Sequence, residues 1–430
     1  MFKFRHLSIA TAAILSLSAN VSALEFHTVG YKSVGMGGAA IANSSGSTAA
    51  YNNPAMLAFA KHDVEVFAGV GMSIHDGGMV ASMSELDDLG FSDTIDRIDS
   101  GDLSNVSPAD HQTLVDAGDI ILNMNGQSAQ VAPQAALGIQ VGSFGTGLFV
   151  VGEGGAVGVI EEGRTEFIFE HDGSYFDAVN LTPSDEDAYN NTSIVKSIED
   201  GETYSLLYGI AIAEIPIAYG HAFDTEFGKV AVGGAVKFMQ GTTFAGKFAL
   251  DNDEDFSDTM DNNDKKTSQV GLDLGLAYKP NFSKDLTLAL AGKNLNSPEF
   301  DYVTNNLGLS AYEVEPMIRF GAAYDIFDSL EIAMDYDLTA NETMMPNIDA
   351  QYLGGGVNFH PFTWLSLRGG AMKNMDSSDD AGLIYTAGVG LGTKWIQLDI
   401  SGQMSKNEVN VNGEDYPEYA KVNIALVSKW

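Results

Sequence analysis

The sequence predicts an all-β protein: about fourteen antiparallel strands closed into a transmembrane β-barrel, with an N-terminal segment in the lumen and a helical external insertion. Three observations lead there. A secretory leader is followed by no apolar helical span. The remainder alternates apolar and polar residues with period two. The connections between the alternating runs are by turns long and short.

Lys3 and Arg5 precede an apolar run from Leu7 to Leu17, and Val21-Ser22-Ala23 offers a small-x-small site, so residues 1–23 read as a signal peptide cleaved after Ala23. The run falls short of the ~20 residues a spanning helix needs, and no later stretch supplies them. With no cysteine, the chain carries neither a disulfide nor a lipidation site after the leader, and a cysteine nucleophile is excluded. Its net charge of −36, from 58 acidic and 22 basic residues, disfavours nucleic acid as a partner, because phosphate binding depends on clustered Lys and Arg.

Residues 24–61 form the next unit. Val29 to Ala58 reads VGYKSVGMGGAAIANSSGSTAAYNNPAMLA, rich in small residues and poor in charge. Small residues let backbone pass close to backbone, and Asn53 before Pro54 suits the cap and first position of a short helix. These properties fit a plug packed inside a container.

Residues 62–430 supply the container. In Leu330–Leu338, Leu330, Ile332, Met334, Tyr336 and Leu338 share one face and Glu331, Ala333, Asp335 and Asp337 the other. Val270–Tyr278 and Ile396–Ser401 repeat the split. A soluble sandwich also alternates, so the connections carry the decision. Working back from Trp430 they run long, tight, long, tight, as in outer-membrane barrels with short periplasmic turns and longer external loops. The strands are expected near 62–72, 131–142, 144–170, 203–223, 227–250, 268–279, 284–295, 314–326, 328–338, 349–359, 363–373, 382–392, 394–405 and 419–430. Tyr219, Phe223, Tyr278, Tyr324, Phe327, Phe359, Phe362, Trp364, Trp395, Tyr419 and Trp430 fall near strand ends, where an aromatic girdle would meet the membrane interface. Such a barrel has the lipid bilayer and lipopolysaccharide as surroundings. Leu426 and Trp430, on the apolar face of the last strand, resemble the C-terminal signal that the barrel-assembly machinery reads.

The acidic excursion at about 73–130 reads instead as two short helices. Leu86, Leu89, Ile95 and Ile98 are helically spaced, and Ser107-Pro108-Ala109-Asp110 supplies a cap, a first-turn proline and an acid. It is either a lid or a solvated cap.

Chemistry-bearing motifs are few. Gly35-Met36-Gly37-Gly38 loosely fits a dinucleotide turn but lacks the preceding strand and the later acid. Asp251, Asp253 and Asp255 resemble the start of a calcium loop, yet Phe256 and Asn262 stand where Gly and an acid belong, leaving them weak metal candidates. No histidine pair has zinc-ligand spacing, and no catalytic residue or cofactor is expected. Gly152, Gly154 and Gly155 lie inside the third strand, where glycine marks a bulge, a bend or a close approach.

Gly35-Met36-Gly37-Gly38-Ala39, followed by Asn52-Asn53-Pro54-Ala55-Met56-Leu57, resembles the N-terminal hatch signature of the FadL superfamily. Across nearly the whole mature chain the sequence is most similar to the outer-membrane proteins described as conjugal transfer TraF-like. The shared blocks are Gly271-Leu272-Asp273-Leu274-Gly275, Lys293-Asn294-Leu295, Asp335-Tyr336-Asp337-Leu338 and Leu367-Arg368-Gly369-Gly370. The resemblance implies fourteen strands and a luminal hatch at Gly35, Gly37, Gly38, Asn52, Asn53, Pro54 and Ala55. It also implies a kinked third strand whose Gly152, Gly154 and Gly155 form a lateral opening for small hydrophobic molecules. The alternative it implies is a non-transporting outer-membrane component of conjugal transfer.

Overall fold

The computed structural model describes residues 21–22, 27, 29–44, 46–99, 107–177, 182–248, 264–303, 307, 311–346, 348–376, 381–411 and 413–430. Fourteen strands close into one barrel: β1 (Val64–Gly77), β2 (Ser128–Val141), β3 (Phe144–Val159), β4 (Tyr204–Thr225), β5 (Gly228–Phe248), β6 (Asp264–Pro280), β7 (Leu286–Lys293), β8 (Met317–Phe327), β9 (Leu330–Asp337), β10 (Tyr352–Phe362), β11 (Leu365–Asn374), β12 (Leu383–Gly392), β13 (Ile396–Ser405) and β14 (Tyr419–Lys429). Each pairs antiparallel with its sequence neighbours, and β14 closes on β1 from His75↔Tyr419 to Glu65↔Lys429. Closure leaves no open edge, so every wall strand is hydrogen-bonded on both sides.

The alternation is inside out relative to a soluble protein. On β9, Ile332 and Met334 are exposed, whereas Glu331, Asp335 and Asp337 are buried. On β14, Val422, Ile424 and Leu426 face outward, and Lys421 and Asn423 inward. Exposed aliphatic residues around a closed wall with charges inside form the surface that a bilayer requires and a soluble sandwich forbids. No described helix is long and apolar enough to cross a membrane. The expected girdle residues Tyr219, Phe223, Tyr324, Phe327, Phe359, Phe362, Trp364, Trp395 and Trp430 are exposed, all near the short-turn end. Tyr419 differs. It falls on the luminal parity of β14, buried, with its ring edge-on to His75 at 5.7 Å and its hydroxyl donating to Gln403 Oε1 at 3.1 Å.

Other departures lie at the long-loop end. The third strand stops at Val159 rather than continuing to 170, and Ile168–His171, Ser174–Asp177 and Thr182–Ser184 form a separate small sheet. Among its described residues the insertion after β1 holds three helices, α2 (Met79–Asp88), α3 (Phe91–Asp99) and α4 (Pro108–Asn123); α1 (Gly46–Asn52) precedes them in the lumen. Ser107 and Asp110 cap α4 reciprocally, as the sequence suggests. The insertion is not a freely solvated cap. Leu86, Phe91, Ile95, Leu114 and Ile121 share one buried core with Phe167, Phe169 and Ile198 of the connection between β3 and β4. Arg164 ties that connection down through Asp200 (2.8 Å) and Glu202 (2.5 Å).

Candidate functional site

Residues 29–44 and 46–59 sit inside the wall, and their contacts run almost all the way round it. Glycine allows the closest approaches. Gly37 adopts φ +64°, and a Cβ there would lie 2.4 Å from Ala371 O and 2.5 Å from Gly355 O; from the wall side, a Cβ on Gly354 would reach within 1.9 Å of Gly37 O. Gly38 is also left-handed, at φ +79°, and a Cβ on Gly35 would press on Arg368 and Gly388 at 3.2 Å.

Packing this tight strips water from the segment's amides and carbonyls, so the wall must satisfy them. It does so with polar side chains on its luminal parity. Asp335 Oδ2 accepts from the amides of Ala40 (2.7 Å) and Ile41 (3.0 Å). Thr386 Oγ1 accepts from Gly37 N at 2.9 Å, Gln403 donates to Val34 O at 3.0 Å, and Arg368 donates to Tyr31 O at 3.1 Å. Glu65 takes both the hydroxyl (2.5 Å) and the amide (3.2 Å) of Ser47.

At the far end of the segment, Asn53 Oδ1 accepts from Ala55 N at 3.0 Å and caps the 3-10 turn Pro54–Phe59, with Pro54 at its first position. Asn53 also donates to Ile41 O at 3.0 Å, and Asn52 to Val29 O at 2.8 Å, so the two asparagines close the segment on itself. Ala55 lies against β5, where a Cβ on Gly233 would meet its nitrogen at 2.3 Å.

Charge completes the fit. Lys32 Nζ lies 2.9 Å from Glu331. Burial alone would lower its pKa, but the attraction and hydrogen bond of Glu331 outweigh that and hold it above the ordinary 10.5. Tyr51 stacks on Phe149 at 4.8 Å under the ammonium of Lys293, 3.3 Å from its ring centroid, and burial keeps its phenol neutral far above the usual range. Beside it Lys237 bridges Glu214 and Asp273, both at 3.2 Å.

The third strand is the irregular part of the wall. Its ladder to β2 lacks the pairs at Ala132–Pro133 opposite Gly152–Glu153, and its ladder to β4 lacks those at Gly147–Leu148 opposite Ile215–Pro216, with register unchanged across both gaps. Pro133 still pairs with β1 and Pro216 with β5, so each missing N–H falls on the β3 side. Among the described residues, β3 alone has mid-wall ladder interruptions on both flanks. By strand parity Gly152 and Gly154 face outward: a Cβ on Gly152 would meet Pro133 at 3.1 Å, and one on Gly154 would meet the Phe244 ring at 3.6 Å. Gly155 points inward, toward Tyr208 and Met344. Between them buried Glu153 meets His27 Nε2 at 2.5 Å, so the N-terminal end of the luminal segment lies against the interrupted strand.

Leu426 and Trp430 are on the outer surface. Asp251, Asp253 and Asp255, like the expected cleavage site, lie outside the described residues, and among those described no group of three His, Asp or Glu could hold a metal. The wall groups that hold the segment, Asp335, Arg368, Glu331, Thr386, Gln403 and Glu65, were not singled out by sequence reasoning. The available signal was a charged or amide side chain on the luminal parity of a strand.

The model of the family described as "F plasmid transfer operon, TraF, protein" matches residues 50–337. The chain belongs to this family. Its fold is shared with solved structures of a toluene transporter and a monoaromatic hydrocarbon channel. The Ralstonia pickettii toluene transporter TbuX superposes with a TM-score of 0.51 at 12% identity, covering 94% of this chain and 99% of that one. The TodX monoaromatic hydrocarbon channel does so in two mutant forms: deltaS2S3 at TM-score 0.51 and 12% identity, covering 93% and 98% of the two chains, and deltaS2 at TM-score 0.51 and 12% identity, covering 95% and 100%. No curated protein sequence matches the chain.

Proposed function

We propose that the chain is an outer-membrane channel that passes small hydrophobic molecules, with residues 24–61 acting as a movable hatch and β3 as the lateral exit. The observation that carries this reading is the pair of ladder gaps flanking β3. A wall strand missing hydrogen bonds on both sides separates from its neighbours at lower cost than any fully paired strand, because each interior ladder bond contributes about 0.5–1.5 kcal/mol. The hatch meets that strand through the His27–Glu153 pair. Many of its other contacts are hydrogen bonds and ion pairs, which water can replace one by one, beside apolar packing such as Tyr51 on Phe149. Tyr208, Phe300, Tyr302, Tyr312, Met317 and Met344 belong to one buried apolar cluster, whose polarizable side chains suit contact with hydrocarbon once the packing opens.

The test is uptake of a labelled monoaromatic hydrocarbon and a labelled medium-chain fatty acid by a deletion strain complemented with the natural chain or with Gly154→Val/Gly155→Val. The reading expects uptake restored by the natural chain and blocked by the variant. Normal uptake in the deletion strain, together with lost mating efficiency, would replace it with a role in conjugal transfer.

A further inference from the structure

The long connection between β9 and β10 turns into the barrel instead of staying outside it. At its base Thr339 Oγ1 accepts from Ile318 N at 3.1 Å, and Asn341–Glu342 pairs with Asp349–Ala350 as a short two-stranded stem. At its tip Thr343 Oγ1 donates to Ile348 O (2.7 Å) and accepts from Met345 N (3.1 Å), while Thr343 N donates to Ile348 O at 3.1 Å. Such side-chain-to-backbone bonds hold a formed turn. The turn carries Met344 and Met345, each 1% exposed.

The residues that bury this tip stand on other parts of the wall. On the shorter way round the barrel β8, β7, β6, β5 and β4 separate β9 from β3. Yet Met344 O accepts from the hydroxyl of Tyr208 on β4, and a Cβ on Gly155 of β3 would lie 3.5 Å from the same oxygen. A Cβ on Gly77, at the end of β1, would lie 2.7 Å from Met345 Cε. Gly155 and Tyr208 are themselves cross-strand partners. Gly155 lies on the long-loop side of the ladder gap at Gly152–Glu153, so the methionine turn stands between the outside and that gap. Glu153, the next inward-facing residue along β3, meets His27 of the luminal segment. The interrupted strand is therefore covered on its inner face by two separate parts of the chain.

An apolar solute coming from outside must take the turn's place to reach the gap. Methionine is unbranched and polarizable, so a hydrocarbon that displaces it exchanges one apolar contact for another, whereas a hydrated ion gains nothing there. We infer that Met344 and Met345 are the selectivity gate of the β3 exit, yielding to apolar solutes and not to polar ones. The inference rests on the channel reading for the route. The seat of the turn is measured without transport, so either can fail while the other stands.

The chain has no cysteine, so M344C/G155C carries the only two thiols. In the purified full chain in neutral detergent, copper-phenanthroline oxidation should cross-link this pair. Added toluene should slow the cross-linking about fivefold or more by favouring the displaced turn, and glycerol should leave it unchanged. In cells, toluene uptake by the oxidised variant should be lost and should return on reduction. Ion conductance of the same variant lacking Leu24–Leu57 should be equal in the two redox states. Y208F keeps the ring but not the bond to Met344 O, and should speed toluene uptake about fivefold, the worth of one hydrogen bond. No cross-link in a chain that keeps the heat-dependent gel shift of a folded barrel would overturn the inference. So would toluene and glycerol acting alike on cross-linking, or uptake indifferent to reduction. If the natural chain takes up no toluene, the channel reading falls and the toluene-glycerol comparison alone decides the gate. If M344C/G155C loses the gel shift, M345C/G77C serves in its place.

Discussion

Asp335→Ala is the sharpest test of how the hatch is held. One buried carboxylate oxygen accepts from two hatch amides, at 2.7 and 3.0 Å, and Ala would leave both N–H groups buried and unpaired. Each unmet buried donor costs about 1–3 kcal/mol, and once the hatch leaves the wall its amides are hydrated, so the penalty falls on the docked state alone. A combined shift of about 3 kcal/mol raises the undocked fraction roughly 10²-fold, at about 1.4 kcal/mol per factor of ten. Arg319 keeps Asp337 as its partner, so the wall itself should stay intact. The assay is opening frequency in planar bilayers, with the heat-dependent gel shift as the folding control. Asp335→Asn keeps an acceptor oxygen and should raise openings less than tenfold. An Ala variant that opens no more often than the natural chain, in a folded barrel, would refute the reasoning.

Gly37→Ala should also unseat the hatch, because its Cβ would lie 2.4–2.6 Å from wall backbone atoms at a left-handed φ; protease cleavage within residues 29–59 of otherwise folded protein is the readout. Pro133→Ala would restore an N–H on the β3 side of the gap, so hydrocarbon uptake should fall while thermal stability rises by about 1 kcal/mol, the contribution of one ladder bond. Lys32 gives a pH signature. Because its folded pKa is raised above 10.5, its contribution to hatch docking is full below that value and is lost as pH rises through the folded pKa; Lys32→Gln should remove this alkaline step from a protease-accessibility profile.

Much of the barrel was legible because lipid imposes a pattern that water does not. Ile332 and Met334 against Glu331 and Asp335 fix the parity of β9, and the same rule, with alternating connections, finds all fourteen wall strands. The ends of β1 and β3 were less legible. Gly77 and Val159 stop their strands where the helical insertion and the neighbouring connection pack into one apolar core, a tertiary event with no local signal. The small residues and the Asn53-Pro54 pair point to a packed segment capped by asparagine, and that local chemistry is what the structure contains. Its sockets were hidden, because Asp335 and Arg368 look in sequence like any other luminal charges until the fold sets them against Ala40 and Tyr31. The role of Pro133 and Pro216 was hidden too, since a proline interrupts only the ladder its nitrogen faces, and that side is known only once the neighbours are.

The most direct measurement is single-channel conductance of the chain lacking Leu24–Leu57, compared with the full chain in the same bilayer. Its described residues pack against the inside of the wall and the wall closes without them, so the shortened barrel should conduct steadily where the full chain is mostly closed. Equal conductance from the two, with both shown folded, would contradict the claim that this segment is the plug of a channel.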